Sequence, residues 1–273
     1  MPVISLDELV ARIPDGALLG LPSDRRGVAL AATRALLRRR PRGLRLYNMP
    51  TGGLQTDLLI GAGAVAAVET SGVSLSEFGG APRFARAVTT GAVAIRDATC
   101  PAIHAQLQAS EKGVPFLPIR GLIGSDVLKH RADWRVMDNP MGNGGDPLVL
   151  LPAVQPDIAL FHVPLADRAG NVWVGRERDL VTLAHASTMT LVTAEEIRDG
   201  SLYDDDRLAA GALSNFYVTA VAEAKHGAWP LAQPGLYEDD AAAIAAYAKA
   251  ARTDEGFAAW LAEHVFATKV AAQ

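Results

Sequence analysis

The sequence predicts an α/β protein built on a Rossmann-like, doubly wound, mainly parallel sheet with helices at its C-terminal end. Three observations carry this. Apolar runs of strand length alternate with stretches of helical periodicity over 16–117 and again over 157–193, the pattern of a parallel sheet covered by helices. The recurring unit is βα, and crossovers between parallel strands are right-handed. The tail then changes character, with two amphipathic segments at 241–251 and 257–266 and no strand pattern.

In chain order, residues 16–21 read as a first strand, 28–39 as a helix and 44–49 as a second strand. A short helix at 56–62, a third strand at 64–69, a helix at 82–90 opened by Pro82 and a fourth strand at 93–96 follow. A helix at 102–111 leads to a fifth strand at 114–117. Between Arg120 and Pro147 the regular pattern lapses, and an irregular segment of that length inside a compact domain is usually functional or mobile. The pattern resumes with a strand at 157–163, a reversal at 166–171 rich in Asp, Arg, Gly and Asn, and an extended stretch at 172–174. Leu180, Leu183 and Ala184 mark a helix, and a buried strand at 188–193 stops at the acidic pair Glu195 and Glu196. Thr253 with Gly256 suits the start of the last helix, with Asp254 and Glu255 in its first turn. No repeat or linker divides the chain, so residues 1–273 are expected to form one domain.

Composition narrows the function. With 26 basic against 30 acidic residues, no whole-molecule field recruits nucleic acid or a membrane surface. The one basic cluster, RALLRRRPRGLR at 34–45, reads either as a solvated helix end or as a site for a phosphate group. A single cysteine, Cys100, rules out an internal disulfide framework and a multi-cysteine zinc site. The N-terminal stretch lacks the basic and apolar regions of a signal peptide, and no apolar run reaches about 18 residues. A soluble, cytoplasmic protein is expected. GxGxxG after a strand, a Walker loop, HExxH and a GxSxG elbow are all missing, which removes support for the standard dehydrogenase, P-loop, zincin and serine-hydrolase readings.

Candidate site residues cluster at strand ends, which face the ligand crevice in such sheets. The first strand runs into GLPSDRRG (20–27), making Ser23 and Arg25 substrate-contact candidates unless Ser23 or Asp24 simply caps the next helix. In MPTGGLQTD (49–57), Thr51, Gly52 and Gly53 either admit a ligand close to the backbone or satisfy a tight turn. In ETSGVS (69–74), Ser71 and Gly72 lie at the same rim, with a hydroxyl bonding its own turn as the alternative. Cys100 and His104, four apart, suit a thiolate–imidazolium pair. Pro101 favours the first helical turn and leaves Cys100 at the cap, where a thiol pKa falls, yet a lone cysteine in an apolar context is ordinarily a small buried hydrophobe. Arg120 at the end of the fifth strand suits bidentate pairing with a carboxylate or phosphate, or a salt bridge anchoring the long loop. Asn143, with Gly144 and Gly145, makes an anion nest or a turn. In EFGGAPRFARAV (77–88), Phe78 and Phe84 are expected in the core and Arg83 and Arg86 on an exposed face, while Tyr237, Tyr247 and Trp260 read as packing residues.

The blocks EFGGAPRFARA, PFLPIRG, PDIALFHVPLADRAGN and TAEEI resemble the alpha subunit of type I coenzyme A transferases, glutaconate CoA-transferase branch, and the resemblance runs from LDELVARIPDGA to GFAAWLAEHV. It implies the CoA-transferase (NagB-like) fold and a partner, the beta subunit, in a heterodimer or heterotetramer. It also implies coenzyme A or acyl-CoA as substrate, with no tightly bound cofactor. In that family the glutamate forming acyl-anhydride and glutamyl-CoA intermediates belongs to the beta subunit, so no catalytic residue is assigned to this chain, Glu69 and Glu77 included. The family's rim faces the acyl group, which makes Ser71 the leading substrate contact. One departure stands out. Leu21, Pro22 and Ser23 replace the family's glycine-rich GGF-type loop, and proline removes a backbone donor. Relatives that decarboxylate acyl-CoA or hydrolytically open steroid-derived rings are therefore the alternative, and a non-catalytic partner or regulatory protein is a further one. In the ring-opening branch an alpha-subunit glutamate falls near the position of Cys100.

Overall fold

The computed structural model describes residues 3–267. The chain opens with α1 (Leu6–Ala11), β1 (Leu18–Leu21), α2 (Leu30–Arg38), β2 (Leu44–Asn48), α3 (Leu54–Gly61), β3 (Val65–Thr70), α4 (Pro82–Thr90), β4 (Ala94–Asp97) and α5 (Cys100–Glu111). Next come β5 (Phe116–Ile119), β6 (Arg135–Asp138), β7 (Pro147–Pro152), β8 (Ile158–Asp167), β9 (Val172–Trp173) and α6 (Arg178–Ala186). It closes with β10 (Met189–Arg198), α7 (Asp206–Ala209), β11 (Ala212–Leu213), β12 (Ala220–Glu223), α8 (Ala241–Ala250) and α9 (Asp254–Leu261).

A parallel sheet runs in the order β12-β10-β8-β1-β2-β3-β4. Winding proceeds outward from β1 in both directions, so the order reverses between β1 and β8, the doubly wound arrangement whose switch point opens a crevice at the carboxyl ends. Strand residues alternate between two cores, as the two-residue period requires. Ile158 and Leu160 of β8 join Leu19, Leu21, Leu46 and Leu191 under α1, α2, α3, α8 and α9. Ala159, Phe161 and Val163 join Tyr47, Val192 and Ala194 under α5 and α6. Burial on both faces explains why these strands read as continuous apolar runs.

Several expectations need correction. The fifth strand, expected at 114–117 in the parallel sheet, is β5 in a separate antiparallel sheet of order β5-β7-β6. Pro118 lies inside it, and a residue without an N–H is tolerated there because β5 is an edge strand. The irregular segment after Arg120 contains β6 and a short 3₁₀ turn at Asp126–His130. β10 does not stop at Glu195; it continues to Arg198, because Glu196, Ile197 and Arg198 pair with Leu165, Ala166 and Asp167 of the long β8. Arg83 is buried rather than exposed, bonded to Asp254 (2.7 Å) and the Thr253 carbonyl beneath α9, with its guanidinium 4.7 Å from the Phe257 ring centre. Arg86 does face outward. The last helix, by contrast, starts at Asp254 behind Thr253 as expected, with the Thr253 hydroxyl accepting from the Gly256 N–H (3.0 Å) as a cap.

Candidate functional site at the strand ends

The loops leaving β1, β2 and β3 stay bonded to one another beyond the sheet. Gly52 N–H donates to Gly72 O (2.9 Å) and Ser74 N–H to Gly52 O (3.0 Å), while the Ser71 N–H and hydroxyl both donate to Pro50 O (3.0 and 2.9 Å). Asp24 joins this rim, accepting from the Ser76 hydroxyl (3.0 Å) and the Thr51 hydroxyl (3.4 Å). A Cβ on Gly53 would sit 2.7 Å from Asp24 O, and one on Gly52 would sit 2.5 Å from Asn48 Nδ2. These glycines admit neighbouring protein atoms, and neither has the positive φ that a glycine-only turn demands. Neither Ser23 nor Asp24 caps α2, whose N-cap is Ala29. Arg25 is held by two carboxylates, Glu77 (2.6 Å) and Asp239.

Cys100 is exposed, contrary to the buried-hydrophobe reading, and occupies the first turn of α5 behind the capping hydroxyl of Thr99. Its sulfur meets Ser71 Oγ at 3.2 Å, whereas His104 turns to Asp179 (3.9 Å). The fold therefore gathers Thr51, Gly52, Gly53, Ser71, Gly72 and Cys100 on one edge. Arg120 and Asn143 belong to the small sheet instead. Arg120 makes the bidentate bond anticipated for it, but to Asp146 (2.8 and 2.7 Å), holding that carboxyl down to about 2 with help from Asn139. Asn143 is exposed in a turn where Gly144 and Gly145 have φ of 88° and 71°.

A second group of residues was not proposed as a site from the sequence, where Glu195 was read as a strand end and Tyr237 as a packing residue. His162 of β8 is buried, with Nδ1 2.8 Å from Thr193 Oγ1 and Nε2 2.9 Å from Glu195 Oε1. An ionised carboxylate only accepts, so Nε2 carries a proton toward Glu195. Glu195 also accepts from the His226 N–H (2.6 Å), the Gly227 N–H (2.9 Å) and the Tyr237 hydroxyl. Burial pushes its carboxyl up, but the His162 and Tyr237 bonds, the His162 charge and the Gly227 amide outweigh it and hold the group at about 2. The same bond, after burial, drives the Tyr237 hydroxyl well up. Gly227 is required here, because a Cβ would fall 2.3 Å from the His162 ring. The available sequence signal was His162 interrupting the apolar run IALFHV.

This network borders a cavity of about 220 Å³ at the β1/β8 switch point, lined by Arg26, His162, Trp173, Arg176 and Gln233 among others. A wider depression of about 740 Å³ continues past Trp173 and Pro234 to Glu196, Glu223 and Lys225. Near the end of β3, Glu69 is ion-paired to Arg131 (2.7 Å) and to Arg96 of β4 (3.2 Å), and burial raises its carboxyl against those cations. Both glutamates of the β1–β4 rim, Glu69 and Glu77, are thus bound to arginines.

The profile of the family described as coenzyme A transferase matches residues 3–213. The chain belongs to the coenzyme A transferase family. It is 30% identical to the A-type subunit of 3-oxoadipate CoA-transferase from Pseudomonas knackmussii, over 98% of this chain and 94% of that one. The crystal structure of glutaconate coenzyme A-transferase from Acidaminococcus fermentans superposes with a TM-score of 0.89 at 27% identity, covering 97% of this chain and 89% of that chain. A variant of the decarboxylase AibA/AibB superposes at 0.82 with 26% identity, covering 95% and 98%. The CoA-transferase fold is that of this protein, and transferase and decarboxylase chemistry both occur on it. Among the described residues no helix is long and apolar enough to cross a membrane.

Proposed function

We propose that this chain is the A-type subunit of a two-subunit enzyme that moves coenzyme A between carboxylic acids, with the nucleophilic glutamate supplied by a beta subunit. The observation that carries this reading is the state of the chain's own rim. It carries the hydroxyls of Thr51 and Ser71 and the exposed thiol of Cys100, while its glutamates Glu69 and Glu77 are tied up by Arg131, Arg96 and Arg25. In such a reaction the partner's carboxylate attacks the thioester carbonyl and expels CoA thiolate, leaving a mixed anhydride. The thiolate attacks that anhydride at the enzyme acyl carbon, releasing the first acid and leaving an enzyme thioester. The second acid repeats the sequence in reverse. This chain's part is to wall the acyl pocket and orient the acid, with Ser23, Thr51, Ser71 and Cys100 nearest the acyl group. Arg25, already paired to two carboxylates, fixes the loop after β1. Coenzyme A acts as a substrate, and no tightly bound cofactor is required.

The likeness to the decarboxylase, together with Pro22 in the loop after β1, favours decarboxylation as the second reading. Co-purifying the chain with its beta-type partner, then assaying CoA exchange among dicarboxylic and aromatic-derived acids, separates the two. Exchange between added acids supports transfer. Release of CO₂ or of free CoA without exchange overturns it.

A further inference from the structure

We propose that the outward face of α2 carries a separate nucleotide site, in which Arg34 and Arg38 take the phosphate and the wall formed by Trp229, His264 and Phe266 takes the ring. A cavity of about 460 Å³ lies there, lined by these five residues with Glu263 and Ala267, a volume within the range of small-ligand sites. Arg34 and Arg38 are four apart on α2, so their guanidinium groups emerge on one face. Two neighbours in the basic cluster have other partners: Arg39 donates to the carbonyls of Val10 and Ile13, and Arg45 pairs with Asp157 (3.5 Å).

Neither Arg34 nor Arg38 has a carboxylate within 4.0 Å among the described residues. Arg34 gives one N–H to Trp229 O (2.9 Å) and Arg38 one to Val265 O (3.4 Å). A guanidinium has five donors, so each retains several for a ligand. Burial, reinforced by the like charge of Arg38, lowers Arg34 to about 10, the behaviour of a desolvated cation beside a second one. Placing Arg38 beside this cation is unfavourable until an anion joins the two, and a planar fork suits the bidentate geometry of phosphate.

The aromatic side supplies the rest. Trp229 packs under Arg34, with the guanidinium 5.5 Å from its ring centre, and His264 lies 6.3 Å from Trp229 and 4.7 Å from Trp260. Phe266 is 43% exposed at the rim, an apolar surface available to a flat ring. A nucleotide combines the two demands. The nucleotide end of coenzyme A and a free nucleotide such as ADP share this chemistry.

The test is titration of the intact protein, together with its partner subunit where one co-purifies, with ADP and with coenzyme A, following heat and tryptophan fluorescence. Saturable binding is expected, weakened about tenfold by Arg38→Gln and further by Arg34→Gln, as for the loss of one or two charge-assisted hydrogen bonds. Inorganic phosphate should compete. Tighter binding of ADP assigns a free nucleotide, and tighter binding of coenzyme A assigns the coenzyme. Absence of saturable binding, or binding of both ligands that Arg38→Gln leaves unchanged, overturns the proposal. Arg38 is exposed, so its variant should keep the wild-type circular dichroism and decides the matter even where Arg34→Gln fails to fold. None of this depends on the transfer reading, because binding is read directly rather than through turnover.

Discussion

Two buried carboxylates, one at the strand ends and one in the helix layer, each accept a tyrosine hydroxyl and are shifted in opposite directions. Glu195 lies at the carboxyl edge of β10 and takes its bonds from His162, Tyr237 and two backbone amides. Asp57 lies in α3 and accepts from Tyr247 (2.7 Å) and the Phe84 N–H (2.7 Å). Burial pushes both up. At Glu195 the donors, one of them a histidine, win and hold the group at about 2; at Asp57 burial wins and the carboxyl rises to about 6. The difference teaches that a tyrosine partner does not set the charge state. The number and charge of the remaining donors, weighed against desolvation, do.

The largest expected effect comes from breaking the strand-end member. Glu195→Ala leaves the His162 ring, two amides and the Tyr237 hydroxyl without their acceptor, in a place where Gly227 packs against the imidazole. A loss of about 3–5 kcal/mol is expected by denaturant unfolding. Retention of wild-type stability would show that water replaces the carboxylate freely.

Next in size is the pH dependence, where the two groups have opposite signs. The folded pKa of Glu195 lies below its unfolded value, so its contribution is present above about pH 4.5 and is lost as pH falls toward 2. The folded pKa of Asp57 lies above its unfolded value, so its contribution is present below about pH 4 and is lost as pH rises through about 6. Asp57→Asn should therefore gain on wild type by on the order of 2–3 kcal/mol between pH 4 and pH 7. Unfolding midpoints at pH 4, 5.5 and 7 measure this. A gap between variant and wild type that stays constant with pH would remove Asp57 as its source.

The contrast also marks how far local sequence could be read. Strands β1 to β4 and helices α2 and α4 follow from apolar runs and helical spacing, and the Pro82 start of α4 is where expected, because these signals are local. β5 was misplaced because a four-residue apolar run does not reveal its neighbour, here β7. Arg83 was read as exposed because its own helix is amphipathic; the element that covers it, α9, comes some 170 residues later. Glu195 was taken as the end of a strand for the same reason. Its donors sit at 162, 226, 227 and 237, and no short window contains them. The rim residues Thr51 and Ser71 were legible because a strand end followed by Gly, Ser or Thr is itself a local pattern. The neighbour of Cys100 was not, since Ser71 lies 29 positions away.

The tyrosines sharpen the comparison at smaller scale. Tyr237→Phe removes one of several donors to Glu195 and should cost about 1–2 kcal/mol at pH 7. Tyr247→Phe leaves Asp57 with the Phe84 and Arg83 amides and the Arg83 charge, so its carboxyl should titrate still higher than about 6, with a cost of about 2 kcal/mol at pH 7 that shrinks as the carboxyl protonates toward pH 4. Carboxyl titration followed by NMR distinguishes the two. An unmoved Asp57 in Tyr247→Phe would mean that the hydroxyl contributes nothing to its state.

The smallest effect on stability is expected at Cys100, on the same edge as Glu195 but outside its network. The thiol is exposed and its contact is a weak one, 3.2 Å to a Ser71 hydroxyl already donating to Pro50 O. Cys100→Ala should shift unfolding by less than about 0.5 kcal/mol, as surface substitutions do. That small cost makes it a clean probe of the rim. With folding intact, unchanged exchange activity in the complex with the beta subunit would make the thiol a bystander. A changed KM at constant kcat would place it against the acyl group, beside Ser71, since loss of a contact made equally in ground and transition states appears in KM alone.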